Sequence, residues 1–132
     1  MMKVLVVYSW DDDISQRRYA RMKGIASRSG YDFDQCFAVP SPRTPPTPNG
    51  VTNMISAAVD QFQPDVLLIH TGAAYHQVPD AFSEAARRIH HKYPGLRLGF
   101  EHRPHLDLGN LSVFETSEEM TRIEQTFFGL EL

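Results

Sequence analysis

Two apolar runs decide what this chain can become. Residues 3–9, KVLVVYS, and residues 64–70, PDVLLIH, are short, nearly uninterrupted and rich in β-branched or long aliphatic side chains. A strand with one wet face alternates apolar and polar positions. A run apolar at every position reads instead as a strand buried on both faces, the situation of inner strands in a parallel sheet. Parallel neighbours need crossovers of a dozen or more residues, usually helices, so these runs predict an alternating α/β chain.

The intervening segments fit that demand. Asp13 is placed to cap a helix over residues 14–29, with Ile14, Met22, Ile25 and Ala26 inward and Gly30 at its end. YDFDQCFAV reads as a second strand, less cleanly alternating, as an edge strand is. Residues 40–50, PSPRTPPTPNG, hold five of the nine prolines and are read as a long loop with polyproline II preference. Val51, Met54, Ile55, Ala58, Val59 and Phe62 then recur at i, i+3, i+4 spacing, one buried helix face. After PDVLLIH, Pro79 and Asp80 open a helix with Phe82, Ala85, Ala86 and Ile89 on one side. LRLGF is a fourth strand, LSVFE a short fifth, and Thr116 with Glu119 forms a capping box for a last helix faced by Met120, Ile123 and Phe127. The order β-α-β-α-β-α-β-β-α predicts one domain over residues 1–132. Its expected architecture is a three-layer, doubly wound, flavodoxin-like α/β fold with a five-stranded parallel sheet of order 2-1-3-4-5.

Composition removes several function classes. The 132 residues are 42% apolar, enough for one ordinary core. Thirteen Lys and Arg against sixteen Asp and Glu give a formal charge of −3, and no basic stripe of the kind phosphate contacts require is expected, so neither nucleic acid nor an anionic membrane is expected as a partner. Cys36 is alone, which excludes an intramolecular disulfide and any Cys-rich metal site and fits a reducing compartment. No apolar stretch approaches the ~18 residues of a membrane span, and VLVVY is too short for a signal peptide core; a soluble, cytoplasmic protein is the expectation.

In doubly wound sheets, ligands bind beyond the carboxyl ends of the strands, at the switch point between strands 1 and 3. Five loops lie there, carrying Ser9, Trp10, Asp11, Arg43, His70, Tyr75, His76, Glu101, His102, Arg103 and His105, with Glu84 on the helix that follows the third strand. No P-loop, dinucleotide glycine fingerprint or G-x-S-x-G elbow occurs. Glu101, His102, His105 and Asp107 have ligand chemistry but match no zincin spacing, and Pro104 prevents a regular helix that would align them, so no metal site is assigned. His90 and His91 sit where a helix C-terminus favours cations. Cys36 reads as a small buried residue, and the DDD run at 11–13 as a turn and N-cap.

VLVVYSWDDD resembles the opening strand of TIR domains, including bacterial TIR-like proteins. The proline-rich loop ending in Asn49 and Gly50 falls where the TIR BB loop does. Gly72, Tyr75 and Glu84 match the TIR offsets of a small residue, an aromatic and a glutamate, and LRLGFEHRP is similar to the next strand and its exit. Gly72 stands where serine is common, and Asp80 and Ala81 replace a frequent Trp-Cys pair. A second resemblance, to response-regulator receivers, rests on VLVV, SGYDFD and PDVLLIH; His70 occupies the phosphoacceptor aspartate's position and the Lys-Pro exit is missing, which implies a pseudo-receiver.

The TIR resemblance implies an NAD glycohydrolase or cyclase in bacterial defence or signalling, with NAD as substrate and no required cofactor. Glu84 would be the catalytic carboxylate, stabilising positive charge developing at the ribose C1 while nicotinamide leaves. Ser9, Trp10, Arg43, His70, Gly72 and Tyr75 would line the nucleotide site, Trp10 or Tyr75 by stacking and Arg43 near phosphates. Homotypic contacts through the loop around Pro45 and Gly50 are implied as well. The alternative is a non-catalytic signalling module, a pseudo-receiver or TIR adaptor acting through protein contacts; for it, Glu84 is a carboxylate in the first turn of a helix, favoured by the macrodipole. A deoxyribosyltransferase-like enzyme ranks last, because its Asp-x-Gly-Thr signature is missing.

Overall fold

The strand at residues Met2–Tyr8 (β1) is the middle of the molecule: it pairs in parallel with Tyr31–Phe37 (β2) on one side and Val66–Ile69 (β3) on the other. Arg97–Phe100 (β4) continues from β3, giving a four-stranded parallel sheet of order β2-β1-β3-β4. Four helices are described with it: α1 (Asp13–Ser29), α2 (Pro48–Phe62), α3 (Pro79–Lys92) and α4 (Glu118–Phe128). The structure is a computed structural model and describes residues 1–10, 13–70, 77–101 and 112–129. No helix among these is long and apolar enough to cross a membrane.

Because side chains alternate across a strand, β1 feeds two cores. Leu5 and Val7, with Leu67 and Ile69 of β3, meet Val51, Ile55 and Val59 of α2 and Phe82, Ala85, Ala86 and Ile89 of α3. Val4, Val6 and Tyr8, with Val66 and Leu68, meet Met22 and Ala26 of α1 and Met120, Ile123 and Phe127 of α4. All five residues Val4–Tyr8 are buried, and each such side chain contributes about 1.5–3 kcal/mol over exposure. The result is three layers, α2 and α3 on one face and α1 and α4 on the other. Gly99 lets α4 lie directly on β4: a Cβ there would stand 2.7 Å from Met120 Sδ and 2.8 Å from Leu68 Cδ2.

Four local expectations are corrected. The predicted fifth strand, LSVFE, is not a strand over its described residues. Ser112 and Val113 are in a turn, and Phe114 folds into the α2/α3 core against the Phe100 ring, 4.8 Å between centroids. One backbone bond, Glu115 N–H to Leu98 C=O at 2.8 Å, is the rung that remains. Burying Phe114 pulls the segment out of the extended line that pairing requires. The proline-rich loop ends earlier than expected, because Thr47 caps α2 by accepting the Gly50 N–H and Pro48 takes the first turn, so Asn49 and Gly50 are helical. The cap of α4 is Ser117, not Thr116: its Oγ accepts the Met120 N–H at 3.1 Å, and the Glu119 carboxylate turns away to Arg97. Ile14 is 61% exposed, outside the core assigned to it.

Arg97 clamps the last helix to the sheet. Its guanidinium donates to Glu115 through Nε (2.8 Å) and Nη2 (2.5 Å) and to Glu119 through Nη1 (2.6 Å), while Ser117 Oγ donates to Glu115. The Arg97 guanidinium, with help from Ser117, lowers the Glu115 carboxyl to about 2 from an ordinary 4.5. A lowered carboxylate stabilises the fold fully above its ordinary value, and that stabilisation is lost as pH falls through the folded value. Arg97 and Glu115 are each about 30% exposed, so screening holds the contribution near 1 kcal/mol. Glu115→Gln should therefore lower the urea unfolding free energy by about that amount at neutral pH, and the difference from wild type should shrink as pH falls from about 4.5 to about 2. A difference that stays constant across that window would mean the charge of Glu115 does not contribute.

Candidate functional site

The ladder continues one step past the strands. His70 N–H donates to Val7 C=O at 2.9 Å and Glu101 N–H to Ile69 C=O at 2.9 Å. Since Val7 pairs with Ile69 and Ile69 with Phe100, the next residues, Tyr8, His70 and Glu101, form a cross-strand row at the carboxyl edge. The row belongs to the α1/α4 side: the Tyr8 and His70 rings are 5.1 Å apart, and Phe128 of α4 lies 5.9 Å from His70. Arg18 of α1 covers the Tyr8 ring at 4.7 Å.

His70 Nε2 stands 3.6 Å from Glu101 Oε2, with side chains 13% and 11% exposed. At that length the contact is an ion pair when the imidazole is protonated and not a hydrogen bond. Below the row, the wholly buried Glu124 of α4 accepts the Phe100 N–H at 3.0 Å, so a helix carboxylate ties the end of β4. Burial pushes the Tyr8 hydroxyl well above the usual phenol range; the Glu101 charge adds to this and Arg18 opposes it. That hydroxyl is buried and has no hydrogen-bond partner among the described residues. An imidazole, a carboxylate and a phenol ring at a strand edge can hold a proton or accept a polar ligand. Tyr8 was not among the sequence candidates; its one signal was its place as the last residue of a buried run.

Glu84 belongs to a different surface. It is the sixth residue of α3, in the second turn, on the helix layer covering the opposite face of the sheet from the His70 row. Its Oε2 accepts from Arg87 Nη1 and its Oε1 from Arg88 Nε, each at 3.2 Å, and its side chain is 41% exposed. Arg88 reaches on through Nη1 to Asn49 Oδ1 at 2.6 Å, linking α3 to the start of α2. Trp10 packs against the same α2/α3 core. Ser9 C=O accepts the Val39 N–H at 3.0 Å, which fixes the start of the loop after β2.

The remaining candidates are scattered or lie elsewhere. Arg43 is exposed in a turn closed by Thr44 N–H to Ser41 C=O at 3.1 Å. Gly72 and Tyr75 lie outside the described residues, as do Asp11, His76, His102, Arg103, His105 and Asp107. Among the described residues no three His, Cys, Asp or Glu are grouped to hold a metal ion. Cys36 is half-buried on β2; burial, with the Asp34 charge, pushes its thiol up to about 12, so it is a thiol and not a nucleophilic thiolate near neutral pH. Compared with known proteins, the chain matches no family model and no curated relative.

Tyr8 offers a direct test of what the row does. An unpartnered buried hydroxyl contributes nothing to stability, so Tyr8→Phe should leave the unfolding free energy unchanged or raise it by about 1 kcal/mol. A clear loss in a denaturant titration would mean the hydroxyl has a partner in solution.

Proposed function

We propose that this chain is a TIR-like signalling module of the doubly wound, flavodoxin-like class that acts through protein contacts, with the loop ahead of α2, around Pro45, as a contact surface. One observation carries the choice of a non-catalytic role: both oxygens of Glu84 are engaged by Arg87 and Arg88 of its own helix. A carboxylate that stabilises a ribosyl cation needs a free face toward the sugar in a site of reduced dielectric. Glu84 is instead one end of a brace running through Arg88 to Asn49, which fixes α3 against the helix that follows the loop. Pro45 and Arg43 are exposed at that loop, whereas Pro46 is buried and anchors it. Homotypic association is the contact we test. Combining Arg43→Glu with Pro45→Asp should weaken self-association at least tenfold in sedimentation velocity over a concentration series, with thermal unfolding unchanged. Association that is indifferent to both changes removes the loop from the reading.

A second reading, NAD glycohydrolase or cyclase, is favoured by one feature of position. Glu84 follows the loop after β3, beside the switch point, and Trp10 packs on the same side of the sheet as α3. On this reading Glu84 stabilises the cation at the ribose C1, and Ser9, Trp10, Arg43, Gly72 and Tyr75 line the nucleotide site, while His70, packed on the α1/α4 side, drops out of it. The reading expects nicotinamide release from NAD, strongest at high protein concentration, and its loss in Glu84→Gln with the fold intact. Absence of turnover even in an enforced oligomer, or turnover unchanged in Glu84→Gln, sinks the claim for Glu84.

A further inference from the structure

α1 breaks the charge pattern of its neighbours. From Ile14 to Ser29 it carries five cations and no acidic residue. Two are used internally: Arg18 lies over Tyr8, and Lys23 over Tyr19, whose hydroxyl it also contacts at 3.3 Å. Arg17, Arg21 and Arg28 are exposed and have no ion pair, hydrogen bond or ring contact among the described residues, although the Arg21 charge is felt at the Tyr8 hydroxyl. At 100° per residue these three fall within about 40° of one another along roughly 16 Å of helix. They stand opposite the buried Met22 and Ala26. Ile14 shares their face, 61% exposed.

Arg28, in the last turn, is favoured by the helix dipole, but the rest of this surface works against the stability of its own helix. Arg17 and Arg21 are like charges at i, i+4, which repel by a few tenths of a kcal/mol. Arg17 lies in the N-terminal part of the helix, where the macrodipole disfavours cations. Gly24, in the middle of the helix, costs about 0.5–1 kcal/mol relative to alanine. α3 shows the ordinary solution, with Arg87 and Arg88 both answered by Glu84. A stripe left unanswered on one helix is what a binding surface looks like before its partner arrives.

We infer that the outer face of α1 is a docking surface for a short acidic helix of another protein. Counting Asp13, α1 carries a formal +4, so the rest of the chain carries −7 against the total of −3. A long polyanion would meet repulsion beyond the stripe, whereas a helix of about three turns, matched to ~16 Å, stays on it. Exposed Ile14 beside arginines suits a mixed apolar and acidic partner face better than a phosphate backbone, since apolar and arginine contacts together typify protein interfaces. Among the described residues of the chain the one adjacent pair of exposed carboxylates is Glu118 and Glu119, and Arg97 holds the second. α1 covers the face of the sheet opposite α2 and its preceding loop, so both contacts can form at once.

The test uses the full chain and a labelled, end-blocked helical peptide bearing Glu at i, i+4 and i+11 and one leucine placed to meet Ile14, read by fluorescence anisotropy at physiological salt. Arg21→Glu and Arg17→Glu should each weaken binding at least tenfold and Ile14→Asp several-fold, with circular dichroism unchanged. Arg122→Glu on α4 should leave it as it was. Equal binding of a peptide with Gln in place of Glu, or indifference to the α1 variants, overturns the proposal. So does tighter, Arg21-dependent binding of a 16-base-pair duplex or phosphatidylserine vesicles, or chain self-association that Arg21→Glu abolishes; each would assign the stripe to a different occupant.

Discussion

The two-sided burial of β1 is the constraint on which the rest of the molecule depends. Five consecutive residues with no solvent-facing member cannot sit in a half-exposed sheet, so helices must cover both faces. Alternation then divides the strand, Leu5 and Val7 to the α2/α3 side, Val4, Val6 and Tyr8 to the α1/α4 side. Every helix is placed by which of those sets it meets. The register of β1 with β3 and of β3 with β4 also sets what stands at the carboxyl edge, because the residue after each buried run lands in one row.

That row separates two things the sequence pattern had combined. His70 and Glu84 follow the same strand, and the TIR resemblance implies one nucleotide site for both. The structure puts His70 between Tyr8, Glu101 and Phe128 on one face, and Glu84 among arginines on a helix of the other. A carboxylate already accepting two guanidinium hydrogen bonds is stable as a structural brace and poorly suited to take up a sugar. In the row beside Tyr8, whose hydroxyl burial pushes well above the usual phenol range, His70 and Glu101 stand at the carboxyl edge, where a doubly wound sheet tends to place ligands.

Charge is handled in opposite ways in different parts of the fold. Arg97 is surrounded by Glu115 and Glu119, and Arg87 and Arg88 by Glu84, so these cations hold elements together. On α1, Arg17 and Arg21 have no acidic partner among the described residues, and only Arg28, in the last turn, is favoured by the helix dipole. A formal charge of −3 hides this, since total charge says nothing about the side on which charges collect.

What could be read from the chain alone was whatever depends on short-range periodicity. The four strands of the sheet, the four helices, the glycine end of α1 and the inward faces of α3 and α4 all follow from spacing along one element, where side-chain direction is set by the local backbone. Part of what failed was local, as with the Thr47 cap and Pro48 that start α2 early, and part depended on contacts distant in sequence. Phe114 left the expected fifth strand to join a core built by α2 and α3, and Arg97 drew Glu119 away from the cap that Thr116 was to share with it. Of the face expected inward on α1, Met22 and Ala26 are buried, whereas Ile14 is exposed. By itself, the sequence determined a parallel α/β fold and the edge at which its polar residues gather. Only the tertiary structure decided which of those residues meet, that Tyr8 joins His70 and Glu101 while Glu84 does not. Periodicity specifies a side chain's direction from its own element, and partners are chosen by how separate elements pack.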